Sequence, residues 1–142
     1  MNKREQGAVF ENYAAEFLKS KGYVLLAQNY FSKYGEIDLI MKKENRIIFV
    51  EVKQRTTDIF GSGEYAIDFK KKRKMYFTAQ KFLLEKRYFD YDIRFDAVIF
   101  NGRGKTPSRW IRNIIWGDEI GDRKSTRLNS SHITRSRMPS SA

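Results

Sequence analysis

Apolar residues recur with helical spacing at Phe10, Tyr13, Ala14, Phe17 and Leu18, which predicts a helix from about Arg4 to Lys21. Gly22 stands where a left-handed residue would close it. Tyr23 to Phe31 reads as a strand with ambiguous alternation, and Ser32 to Gly35 as a turn. Glu36 to Lys42 is predicted as a second strand, with Ile37, Leu39 and Met41 on one face and Glu36, Asp38 and Ile40 on the other. Glu44-Asn45 suits a tight hairpin turn into a third strand, Arg46 to Lys53. Ile47, Phe49, Glu51 and Lys53 share one of its faces, and Ile48, Val50 and Val52 the other. Both faces are apolar until the end, as in a central strand covered on both sides. Gln54 to Glu64, with Gly61 and Gly63 as breakers, reads as a loop. Asp68 is the expected N-cap of a second helix reaching about Arg87, buried through Met75, Ala79, Phe82 and Leu83. Asp92 to Phe100 follows as a strand, then a turn at residues 101–104, and Arg109 to Trp116 as a short last strand. The order is α-β-β-β-α-β with room for one more strand, an α/β domain.

Composition changes this picture at the C-terminus. From Asp122 the chain turns to Ser, Arg, Thr and Asn without periodicity, and Asp122 to His132 resembles one reading frame of a sequencing adapter. The domain is therefore expected to occupy residues 1–121, with 122–142 a disordered, artefactual tail. A natural basic tail is the competing reading. The net charge of the whole chain is +11. Residues 122–142 carry five Lys and Arg and one Asp, so the rest keeps 23 basic and 16 acidic residues, a net charge of +7. The single histidine, His132, lies in the tail, and cysteine is absent. Thiolate zinc sites and histidine acid–base catalysis are thereby disfavoured, and any metal should be a hard cation held by oxygen. The apolar runs Ile47 to Val50 and Ala97 to Phe100 are too short to span a bilayer, and residues 1–6 lead into no signal-peptide core. No membrane and a cytoplasmic location are the expectations.

Chemistry concentrates at the end of the third strand. Glu51 and Lys53 put charge at the edge of an apolar core, where an unpaired ion costs several kcal/mol, so they need partners, a metal or solvent. A hairpin turn near Glu44-Asn45 sets Asp38 roughly opposite Glu51. Two carboxylates on adjacent strands repel unless a cation lies between them, and Mg2+ accepts a few carboxylates while keeping its waters. The competing reading is a polar ladder of ion pairs.

The run Gly35-Glu36-Ile37-Asp38-Leu39-Ile40, followed by Phe49-Val50-Glu51-Val52-Lys53, resembles the PD-(D/E)XK nuclease signature. More narrowly, residues 7–100 resemble the YraN family, a bacterial group of the restriction-endonuclease-like superfamily. The match extends to Glu11, Ala14-Ala15, Leu18, Gly22-Tyr23, Asn29-Tyr30, Arg55, Lys71, Ala79 and Arg94-Phe95-Asp96. Phe10 stands where the family pattern has Gly. The resemblance implies a restriction-endonuclease-like core, a mixed sheet flanked by helices. It also implies Mg2+ or Mn2+ held by Asp38 and Glu51, Lys53 as the catalytic lysine, and Glu11 approaching from the first helix. Glu36 would be a further ligand or a structural residue at the turn. Arg94 and Asp96 are expected to form an internal ion pair.

The run Lys70-Lys71-Lys72-Arg73-Lys74 falls in the first turns of the second helix, where cations oppose the macrodipole. A phosphate partner would account for it, as would a solvated basic face. Together with Arg55 these residues are the candidate nucleic-acid contacts. The expected function is metal-dependent hydrolysis of nucleic acid, DNA in particular. The rival is a non-catalytic nucleic-acid-binding accessory protein, and a protein adaptor is a third class. A homodimer is expected by analogy with related resolvases.

Overall fold

Helix α1 (Lys3–Ser20) opens on a capping box: Glu5 N donates to the Asn2 side chain at 2.8 Å, and Asn2 N donates to the Glu5 carboxylate at 3.1 Å. It closes as the spacing predicts. Gly22, at φ +98°, donates to Lys19 O while Tyr23 N reaches Leu18 O, the paired bonds of a Schellman ending. The computed structural model describes residues 2–55, 68–102 and 104–115. After α1 come β1 (Val24–Ser32), β2 (Gly35–Lys43), β3 (Arg46–Arg55), helix α2 (Phe69–Lys86), β4 (Asp92–Asn101) and β5 (Arg109–Ile111). The last predicted strand, Arg109 to Trp116, is shorter than expected: β5 stops at Ile111, and Asn113 at φ +63° breaks the extended backbone. Gly61 and Gly63, Trp116 and the tail 122–142 lie outside the described residues.

The sheet runs β1-β2-β3-β4-β5. Among the described residues only the β3–β4 pair is parallel, with α2 between its strands in sequence; the other pairs are antiparallel. The sheet is therefore mixed and covered by a helix on each face. β3 is central, and its alternation divides the core. Ile48 and Val50 pack with Ala14, Leu18, Leu39, Met41 and Phe100 on the α1 side. Ile47 and Phe49 pack with Met75, Ala79, Phe82 and Phe95 on the α2 side. Asp68 caps α2 by accepting Lys71 N at 2.8 Å. Leu83 is half-buried rather than buried, and Tyr76 and Thr78 join the buried face instead.

The facing of Ile37 departs from the predicted alternation. Ile37 packs with Ile40 on the α2 side, whereas Leu39 and Met41 lie on the α1 side. Strict alternation would have put 37, 39 and 41 together. It fails because β2 leaves regular pairing here: the β2–β3 ladder ends at Leu39↔Val50. On the other flank, between the β1–β2 pairs Gln28↔Leu39 and Tyr30↔Ile37, Asn29 adopts φ +53°. Asparagine is among the few residues that tolerate this left-handed conformation.

The expected Arg94–Asp96 pair is a buried hub. Asp96, fully buried, accepts Arg94 Nε and Nη2 at 2.8 Å each. It also accepts Trp110 Nε1 at 2.9 Å and Asn113 N at 3.0 Å, which ties β5 and the segment after it to β4. Among the described residues no helix is long and apolar enough to cross a membrane.

Candidate functional site

The site begins where β2 and β3 part. Beyond Leu39↔Val50 the next cross-strand position would join Asp38 to Glu51, but the strands no longer exchange backbone bonds there. Instead Val52 N donates to Asp38 Oδ2 at 2.8 Å. The carboxylate thus takes the place of a ladder carbonyl, in line with the sheet rather than out to solvent.

Glu51 follows the alternation of β3 onto the α2 side and is only 6% exposed. Lys53 Nζ lies 3.6 Å from Oε2, and Lys71 Nζ, from the first turn of α2, lies 3.4 Å from Oε1. Oε1 is nonetheless buried and accepts no hydrogen bond. A buried oxygen without a hydrogen-bond donor calls for an explanation, such as an ion or a water.

Asp38 is strongly perturbed. Burial first, then the charges of Glu51 and Glu11, push its carboxyl up to about 8, against the opposing pull of the Val52 amide and Lys71. Glu11 reaches this neighbourhood from α1, and Asn29 Nδ2 donates to its Oε1 at 3.0 Å. The structure therefore brings Asp38, Glu51, Lys53 and Lys71 together, with Glu11 within electrostatic reach. Among the described residues no three His, Cys, Asp or Glu side chains converge as a ready metal cage. The donor set is a buried carboxylate, Glu51, with one oxygen that accepts no hydrogen bond, and a half-buried one, Asp38. That fits a hard cation that retains most of its waters, such as Mg2+ or Mn2+.

The other sequence candidates spread outward. Lys70 and Lys74 are exposed on α2, and Lys72 and Arg73 are half-buried. The Arg73 guanidinium lies over the rings of Phe69 and Phe77. Arg55 ends β3, where its carbonyl accepts Gly102 N at 2.7 Å. Glu36 pairs with Phe31 across the hairpin, half-buried. Asn29 has no role legible in the sequence beyond the family match. Its signal is an Asn within an otherwise strand-like run, and such a residue marks an irregular backbone only weakly.

Residues 10–100 match the family model of UPF0102, described as an uncharacterised protein family. The chain belongs to UPF0102. A UPF0102 protein of Fusobacterium nucleatum is 44% identical over 121 residues, covering 85% of this chain and 99% of the relative. One from a Sulfurihydrogenibium species is 48% identical, covering 72% and 89% respectively. One from Haemophilus influenzae is 41% identical, covering 80% and 96%. The matched UPF0102 span includes every residue of the fork: Glu11, Asn29, Asp38, Glu51, Lys53 and Lys71. Membership establishes kinship, and what the fork does must be argued from its chemistry.

Proposed function

We propose that the chain is a metal-dependent nuclease that hydrolyses phosphodiester bonds of DNA. The observation that carries this reading is the carboxylate pair at the β2–β3 fork, buried Glu51 beside half-buried Asp38, with a lysine on the same strand face as Glu51. Asp38 and Glu51 would hold Mg2+ or Mn2+, which when bound supplies Lewis-acid polarisation and a water of lowered pKa. Lys53, whose ammonium lies 3.6 Å from Glu51, is placed to align a nucleophilic water or to stabilise negative charge on a phosphate oxygen. Lys71, tethered at the α2 N-terminus, would exchange its contact with Glu51 for one with the DNA backbone. Asn29 keeps Glu11 turned toward the fork through its 3.0 Å hydrogen bond. The desolvated setting strengthens each of these interactions relative to water.

The test is a cleavage screen over duplex, single-stranded, flap and four-way-junction DNA with Mg2+ or Mn2+, comparing wild type with Lys53→Ala. Metal-dependent products that vanish in the variant support the reading; no product on any substrate with either metal overturns it. The ion pairs of Glu51 with Lys53 and Lys71 favour a second reading, a DNA-binding accessory protein whose fork is neutralised by lysine alone. That protein would bind DNA without cleaving it and show no metal uptake. A cytoplasmic homodimer belongs to the proposal in either form, and sedimentation velocity tests the dimer.

A further inference from the structure

We propose that the β1–β2 turn and the first half of α2 form a stacking platform for an unpaired DNA strand beside the carboxylate fork. The inference deepens the nuclease reading and rests on it for the fate of the bound strand, whereas binding itself can be measured separately.

Two aromatic side chains are partly exposed on this surface, Tyr34 at 39% and Phe69 at 48%. The turn bearing Tyr34 is docked on α2 rather than waving free. Tyr34 packs on Phe77 at 5.3 Å between ring centroids, and Ser32 Oγ and Thr78 Oγ1 are 2.7 Å apart. A Cβ at Gly35 would stand 3.7 Å from Lys74 Cβ, so the turn and helix are in close contact.

A cation lies over each ring, and a stacking base would take that face from it. Lys33 Nζ is 5.4 Å from the Tyr34 centroid, and the Arg73 guanidinium is 5.9 Å from Phe69 and 5.2 Å from Phe77. Exposed Lys70 and Lys74 add charge on the same helix, whose first turn contains no acidic residue. The neighbouring carboxylate, Asp68, is engaged with Lys71 N at 2.8 Å. Lys71 itself turns to Glu51 at 3.4 Å, so platform and fork share one helix end.

The chemistry selects the occupant. Bases stack on aromatic faces while neighbouring cations meet the phosphates. In duplex DNA the base faces are already covered, so partly exposed rings favour an unpaired strand. A protein partner fits less well, because interface cores are depleted in lysine.

The experiment is fluorescence anisotropy with the full chain in EDTA, using a labelled oligothymidylate and a labelled duplex. Tyr34→Ala and Phe69→Ala should each weaken single-strand binding by roughly 5-fold to 150-fold, with duplex binding and the salt slope unchanged. Tyr34→Phe and Phe69→Tyr should retain affinity. Lys74→Ala should instead flatten the single-strand salt slope by about 0.7. Equal losses on both probes overturn the platform. So does wild-type affinity in both ring-deleted variants, absence of single-strand binding, or capture by phosphatidylserine vesicles in place of DNA. Melting curves verify that the variants fold, and Tyr34→Leu and Phe69→Leu, which keep apolar bulk without an aromatic face, carry the comparison if an alanine variant does not. Magnesium calorimetry on the same preparations tests the nuclease reading independently: ring-dependent binding without metal uptake keeps the platform and removes the nuclease.

Discussion

Asp38 accepts the backbone amide of Val52 at 2.8 Å, across a strand pair that has already stopped exchanging backbone bonds. One carboxylate oxygen therefore closes the sheet while the group remains beside Glu51. That contact holds two acids close in a desolvated place, an arrangement a divalent cation would stabilise.

Metal should bind the native state and stabilise it. Mg2+ at a hundred times its Kd should raise unfolding free energy by about 2.7 kcal/mol. Asp38→Asn and Glu51→Gln should abolish this gain, while Lys53→Ala should preserve metal binding and lose cleavage. Calorimetric titration with parallel melting curves reads all four proteins. Identical magnesium uptake by wild type and Asp38→Asn would sink the site.

Acidity at Asp38 sets a pH dependence. Its carboxyl is pushed up to about 8, chiefly by burial, whereas in the unfolded chain it titrates near its ordinary value of about 3.9. Between those values the folded state holds the proton that the unfolded state has released. Stability from this group therefore falls as pH rises from about 4 to about 8, and levels off above. In EDTA, the melting temperature of wild type relative to Asp38→Asn should decline across that window. Magnesium affinity should rise across it, since metal displaces the proton. Scanning calorimetry at a series of pH values measures the first trend; a relative gain in wild-type stability from pH 5 to 8 would contradict it.

Asp96 should be the most sensitive polar position outside the fork. Asp96→Ala leaves the half-buried Arg94 guanidinium without its carboxylate and frees the Trp110 and Asn113 donors. A loss of about 3–5 kcal/mol is expected, read from urea melts. A change below 1 kcal/mol would show that β5 is held by other contacts.

Replacing Lys70, Lys71 and Lys72 with Ala should weaken duplex binding irrespective of sequence. The dependence of log K on log salt should flatten by about 0.9 for each phosphate no longer neutralised. Unchanged affinity at low salt would remove this helix end from the binding surface.

Much of the scaffold was legible because its causes are local. The Asp68 cap, the Gly22 closure and the alternation through Ile47 to Lys53 each depend on residues a few positions apart. The opposition of Asp38 and Glu51 was legible too, because one hairpin turn at Glu44-Asn45 sets that register. The facing of Ile37 was misread because period-2 reasoning assumes an unbroken ladder, and the ladder breaks at Asp38.

By itself, then, the sequence determined the order of elements, the central place of β3, and which carboxylates and lysine meet at its end. Tertiary structure alone decided that Asn29 would hold Glu11, that Lys71 would reach Glu51, and that Asp96 would gather Trp110 and Asn113. Those contacts join different layers of the fold or strands separated by a loop. Their geometry is set by how helices pack on a twisted sheet and where a strand leaves its ladder, quantities that no local spacing encodes.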